Sequence, residues 1–191
     1  MKQSEKFILL FIGFAVLILF AGIGYQYLTT QYNISTPEMT KATDQTNTAA
    51  DFTVIDANDN SITLSDYFGK PIIINFWATW CGPCKMELPA FDAAYQEYGD
   101  QITFLMVNLT DGYRDTISGV KDFVEQNAYS FPVYFDTQYE ASTAYRASSI
   151  PLTIIIDSNG NVSQSHIGAM KEETLKQYIE LLLEDTAKSE E

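Results

Sequence analysis

Cysteine is nearly absent from this chain of 191 residues: there are two, Cys81 and Cys84, beside a single histidine, His166. A framework of several disulfides is thereby excluded. A structural zinc centre is excluded too, because it takes about four Cys or His ligands. Basic residues are also scarce, 11 Lys and Arg against 25 Asp and Glu, and the formal net charge is -14. That balance argues against nucleic acid as a partner, since phosphate binding needs a basic patch. Its positive implication is solubility, with a bias towards basic or neutral substrates. No Lys or Arg occurs between Lys6 and Lys41, and no internal repeat is visible.

The two cysteines stand together in Trp80-Cys81-Gly82-Pro83-Cys84. Pro71 to Ala78 before them is a short, nearly continuous apolar run rich in β-branched residues, the pattern of a buried strand. Lys85 to Tyr98 after them has helical spacing, with Met86, Leu88, Phe91, Ala94 and Tyr95 able to share a face. The pair therefore sits where a strand hands over to a helix. Unpaired N–H groups and the positive end of the helix dipole gather there, and both favour a thiolate. Such a site lowers a cysteine pKa from about 8.5 to roughly 3.5–7.5. Cys81, expected exposed at the helix mouth, is the predicted nucleophile, and Cys84, one turn inside, the resolving thiol. Gly82 lets the chain turn sharply, and Pro83 suits a first helical turn, where its missing N–H costs nothing. A purely structural bridge is disfavoured, because a loop this short restrains the unfolded chain little.

The run Asn75-Phe76-Trp77-Ala78-Thr79-Trp80-Cys81-Gly82-Pro83-Cys84-Lys85 resembles the thioredoxin-fold oxidoreductases. More narrowly, Cys84-Lys85-Met86-Glu87-Leu88-Pro89 resembles the membrane-anchored TlpA/ResA-type thiol-disulfide oxidoreductases, over roughly residues 51–185. The resemblance implies a thioredoxin-like mixed α/β sheet flanked by helices. It also implies an N-terminal hairpin and a central helix-strand insertion at about 114–135. Pro151, in Ser149-Ile150-Pro151-Leu152-Thr153, aligns with the cis-proline that faces the cysteines in that fold. There the backbone of Ile150 is offered to a substrate's extended chain. Glu87 matches the acid that tunes the cysteines in the ResA-type group, and Pro89 two residues on is expected to kink the helix. Burial raises a carboxylate pKa, which suits proton transfer near neutrality. Thioredoxin carries an aspartate in the preceding strand; Asn75 stands there instead, and Glu87 is the substitute. Gly168 matches a backbone contact point of the fold, Trp80 is a candidate docking aromatic, and Trp77 is assigned to the core. His166 and Lys85 are read as surface residues.

The local patterns agree with that architecture. Phe52–Asp56 and Ile62–Leu64 read as a hairpin, with Ser65 capping a short helical turn that Gly69 ends. Strands are expected at 71–77, 102–108, 133–135, 152–157 and 162–167. Helices are expected at 82–98, 114–127, 138–147 and 171–184, the last with Leu175, Ile179, Leu182 and Leu183 on one side.

Ahead of this domain, Phe7 to Tyr25 carries no charge and would measure about 28 Å as a helix, close to the ~30 Å of a bilayer's hydrocarbon core. Lys2 and Lys6 precede it, which places the N-terminus in the cytoplasm and the rest outside. A cleaved signal peptide is the competing reading, but its apolar region normally spans about 7–15 residues. The expected organisation is a cytoplasmic N-terminus over 1–6, a transmembrane signal-anchor over 7–28 and a polar tether over 29–50. The thioredoxin-like domain is assigned to 51–186 and a disordered tail to 187–191.

The expected activity is extracytoplasmic thiol-disulfide exchange on partner proteins, with no metal or cofactor. A Gly-Pro dipeptide between the cysteines favours the reducing direction, at about −270 mV rather than about −120 mV. The resemblance implies a membrane thiol donor and, as substrates, apocytochrome c, an extracellular methionine sulfoxide reductase or misoxidised secreted proteins. The alternatives are a disulfide-forming oxidant, a thiol peroxidase, whose Thr-x-x-Cys pattern is missing here, and a non-catalytic binding module.

Overall fold

The computed structural model describes residues 17–20, 22 and 47–189. These belong to two units divided between positions 45 and 46. In the first, residues 17–20 and 22 are helical, and Leu17 to Phe20 are exposed apolar side chains. The remainder of the expected span 7–28, the N-terminal residues 1–6 and most of the expected tether 29–50 lie outside the described residues. Among the described residues, no helix is long and apolar enough to cross a membrane.

The second unit is built on a seven-stranded mixed sheet. Its elements are β1 (Thr53–Ile55), β2 (Ser61–Thr63), a 3₁₀ turn (Leu64–Tyr67), β3 (Ile72–Trp77), α1 (Gly82–Tyr98) and β4 (Thr103–Asn108). After them come α2 (Ile117–Gln126), β5 (Val133–Phe135), α3 (Glu140–Ala144), β6 (Leu152–Ile156), β7 (Val162–Ile167) and α4 (Glu172–Ser189). Strand order is β2-β1-β5-β4-β3-β6-β7. β3 runs parallel to β4 and antiparallel to β6, and the inserted β5 lies between β4 and the N-terminal hairpin.

All six residues of β3 are buried, because helices or loops cover both faces. The two-residue period divides them. Ile73 and Trp77 enter the layer under α1, α2 and α4, with Leu88, Phe91, Phe104, Leu175 and Ile179. Ile72, Ile74 and Phe76 enter the opposite layer with Phe52, Leu64, Leu105 and Ile154. Each such side chain contributes about 1.5–3 kcal/mol through burial. The same alternation sends Asn75 to the α1 side, and this fixes what stands behind the cysteines.

Several boundaries differ from the sequence expectations. The domain starts before residue 51: Ala49 N–H donates to Gly160 O at 2.8 Å and Val162 N–H to Asn47 O at 2.7 Å. Ser65 caps nothing; its hydroxyl and N–H donate to Asp51, and Thr63 occupies the cap position. The helix expected over 114–127 starts only at Ile117, where Thr116 Oγ1 accepts from Gly119 N–H at 3.1 Å. That expected over 138–147 shrinks to α3, flanked by left-handed Tyr139 (φ 58°) and Arg146 (φ 50°). α4 continues to Ser189, so helix occupies part of the tail expected to be disordered.

Candidate active site

α1 begins directly after Cys81, whose extended backbone (φ −83°, ψ 107°) makes it the N-cap. Pro83 lies in the first turn, as the sequence predicts, and the helix runs on through Pro89. Cys81 and Cys84 form a disulfide, with their Cα atoms 5.3 Å apart. Cys81 Sγ accepts from the Cys84 N–H at 3.2 Å, so one orphan donor of the helix start is aimed at this sulfur. In the reduced protein the same N–H, with the helix dipole, would meet a negative sulfur.

Cys81 does not project into solvent as expected. It is 5 % exposed, bonded to the fully buried Cys84 and with its sulfur 3.7 Å from the Ile150 carbonyl oxygen. Its neighbours Trp80, Gly82 and Pro83 are exposed, and they frame the approach to it.

The Ile150–Pro151 peptide bond is cis. It brings the Ile150 carbonyl oxygen to 3.7 Å from Cys81 Sγ, which joins the two stretches singled out in the sequence. Gly168 closes this loop from the end of β7. Its N–H donates to Pro151 O at 2.8 Å, at a φ of +98° that suits glycine. That N–H is therefore taken by the protein itself and is not open to a substrate chain.

Behind Cys84 is a buried polar group. Glu87 is 1 % exposed, and its Oε1 accepts from Asn75 Nδ2 at 2.7 Å. Its Oε2 accepts from Met170 N–H at 2.7 Å. Asn75 Nδ2 also donates to Thr153 Oγ1 at 3.2 Å. Burial pushes the Glu87 carboxyl up to about 7, against the opposing pull of the Met170 and Asn75 hydrogen bonds. The acid can therefore hold or release a proton near neutral pH, one helical turn from Cys84.

A third group was not legible in the sequence. The buried Asp115, from the loop before α2, accepts from Thr79 N–H at 2.9 Å and from Asn108 Nδ2 at 2.8 Å. It also accepts from the Thr79 hydroxyl. Next to it, the Arg114 guanidinium lies 3.8 Å from the centre of the Trp80 ring. The insertion thus grips both residues that precede Cys81. His166 is half-buried, edge-on to Tyr178, and Lys85 is exposed.

A family model described as AhpC/TSA matches residues 46–165. The chain belongs to the AhpC/TSA family. Among relatives, it is 34% identical to the thiol-disulfide oxidoreductase ResA of Geobacillus kaustophilus, over 86% of this chain and 90% of that protein. It is 32% identical to the thioredoxin-like protein YneN of Bacillus subtilis, over 70% of this chain and 77% of the other. Among solved structures, StoA from Bacillus subtilis superposes with a TM-score of 0.60 at 30% identity, covering 69% of this chain and 97% of that one. A thiol:disulfide interchange protein DsbE from Chlorobium tepidum gives 0.65 at 29%, covering 73% and 98%. Within the AhpC/TSA family, this chain is a thiol-disulfide oxidoreductase with a thioredoxin-like fold.

Proposed function

We propose that the protein reduces disulfides of partner proteins outside the cytoplasmic membrane, tethered there by its N-terminal segment. The observation that carries the reading is Cys81 at the N-cap of α1, its sulfur accepting from Cys84 N–H and lying beside the Ile150 carbonyl. In the reduced form, Cys81 attacks a partner disulfide as thiolate and forms a mixed disulfide. Cys84 then attacks Cys81 Sγ and releases the reduced partner. Two electrons pass to the partner, and Cys81 and Cys84 end as the disulfide. Glu87 takes the Cys84 proton as that sulfur becomes the attacking group. Ile150, Pro151, Trp80, Gly82 and Pro83 form the surface on which the partner's chain is laid, with Gly168 bracing the proline loop.

The reducing direction is supported by Gly82-Pro83 between the cysteines. Residues 7–28 and the lysines before them support the anchor and the outward-facing domain. Such a placement calls for a membrane thiol donor to return Cys81 and Cys84 to the reduced state. The deciding experiment is equilibration of the full chain with glutathione buffers, reading the Cys81–Cys84 couple by alkylation. A potential well below about −200 mV supports reduction; one near about −120 mV assigns the protein to disulfide formation.

A further inference from the structure

Arg114 is an exposed cation whose freedom has been removed in three ways. Its backbone is set by the turn after β4, where Asp111 Oδ1 accepts from the N–H groups of Tyr113, Arg114 and Asp115 at 2.9, 2.7 and 3.1 Å. Its Nε donates to Asp111 Oδ2 at 2.9 Å. Its guanidinium lies over Trp80, with Cζ 3.8 Å from the ring centre. The turn itself is pinned to the residue before Trp80 by Asp115, through Thr79 N–H at 2.9 Å. The contacts that fix the guanidinium are the Nε bond and the approach of Cζ to the Trp80 ring, while its side chain remains 53% exposed. Among the described residues the two terminal nitrogens have no hydrogen-bond partner, and they form an exposed fork beside the residue that precedes Cys81.

A planar fork of this kind suits an oxyanion met by two parallel N–H···O bonds, and on an unmodified protein partner that oxyanion is a carboxylate. Holding it in place beforehand lowers the entropy lost on binding. The chain as a whole carries a formal charge of -14, so an acidic partner gains nothing from the overall field. Recognition of a carboxylate here has to come from this one group. The two nearby acids do not occupy the fork: Asp111 holds Nε, and Asp115 is buried on Thr79 and Asn108.

We propose that Arg114, lying over Trp80, binds an acidic side chain of the partner protein close to the disulfide being exchanged, and so helps select the substrate. This rests on the exchange reaction assigned to Cys81 and Cys84. Exchange moves two electrons from the reduced pair, Cys81 as thiolate and Cys84 as thiol, to the partner's two sulfurs; the one thiol proton leaves by way of Glu87 and water supplies the second, and Arg114 takes no part in that transfer.

The test uses two disulfide-bridged peptides that differ only in Glu or Gln beside one cysteine, with the full chain reduced beforehand by dithiothreitol. The readout is the ratio of second-order rates for the Glu and Gln peptides. The wild-type ratio is expected at about two to five at low salt, shrinking as salt screens the contact. In Arg114→Gln it falls to about one, and Arg114→Lys, which keeps charge but loses the fork, lies between. A wild-type ratio of one, or a ratio that survives in Arg114→Gln, overturns the proposal; the latter includes the case in which both rates fall together because Arg114 only braces the loop. In parallel, a labelled Glu peptide with serines in place of its cysteines is titrated into the oxidised chain. Binding that depends on Arg114, in a protein that reduces neither peptide, would retain this inference and sink the exchange reaction instead.

Discussion

Asn75 Nδ2 donates to Glu87 Oε1 at 2.7 Å across the gap between the central strand and the active-site helix. Both side chains are buried, Asn75 entirely, and Met170 N–H holds the other Glu87 oxygen. The pair couples the middle of the sheet to the first turns of α1. Two donors converge on an acid that burial nevertheless pushes up to about 7.

That raised value has a consequence for stability. Below its ordinary value of 4.5 the acid is neutral in both folded and unfolded chains. As pH rises, the unfolded chain ionises first, so stability is lost between pH 4.5 and about 7 and levels off above. The loss is on the order of 3 kcal/mol. Glu87→Gln removes this titration. Urea unfolding of oxidised wild type and variant across that range is expected to give curves that draw together or cross by that amount; parallel curves would contradict it.

Replacing the amide donor by an acid tests the same contact from the strand. Asn75→Asp sets two carboxyls at the separation now spanned by a hydrogen bond, and two like charges so close cannot both ionise. One proton is then shared, and the upper titration of the pair moves above the wild-type value of about 7. Stability should keep falling above neutral pH, where the wild type has levelled off. Carbonyl-stretch infrared spectra across the titration would check this directly. A carboxyl signal that disappears at the wild-type pH would refute it.

The elements around this site were largely legible in the sequence, and for one reason. A strand buried on both faces is a short continuous apolar run, and an amphipathic helix has a period near 3.6; β3, β4, β6 and α1 show these patterns. Cys81 and Cys84 were located by their position between such a run and such a helix. What could not be read were contacts between loops. Asp115 and Thr79 are 36 residues apart and meet only because the Asp111 turn carries the chain back towards α1. The same turn delays α2 to Ile117, and left-handed Tyr139 and Arg146 shorten α3. Such residues, in conformations usual for glycine, leave little sequence signal. Glu87 was found through the family pattern, whereas Asn75 was read as a vacancy, although the strand alternation places it on the side that α1 covers. The exposure expected of Cys81 failed because the Ile150 carbonyl that lies 3.7 Å from its sulfur comes from a loop 69 residues along the chain, which the local pattern does not show.

The loop contact makes its own prediction. Asp115→Ala leaves Thr79 N–H and Asn108 Nδ2 without their buried acceptor. Losing hydrogen bonds to a charged group costs about 1.5–3 kcal/mol. Urea unfolding should show a destabilisation of about that size, and Asp115→Asn, which keeps an acceptor oxygen, should lose less. Amide exchange at Thr79 should quicken in the alanine variant. Unchanged stability would mean that the insertion is not anchored through this carboxylate.

Thiol exchange at Cys81 requires helix α1 to hold its sulfur ionised in the reduced protein. The pH dependence of iodoacetamide alkylation of Cys81 in the Cys84→Ser variant reads this out most directly, with mass spectrometry assigning the site. The rate midpoint is expected well below the ordinary thiol value of about 8.5, inside the range of roughly 3.5–7.5 found at helix starts. A midpoint at about 8.5 would contradict it.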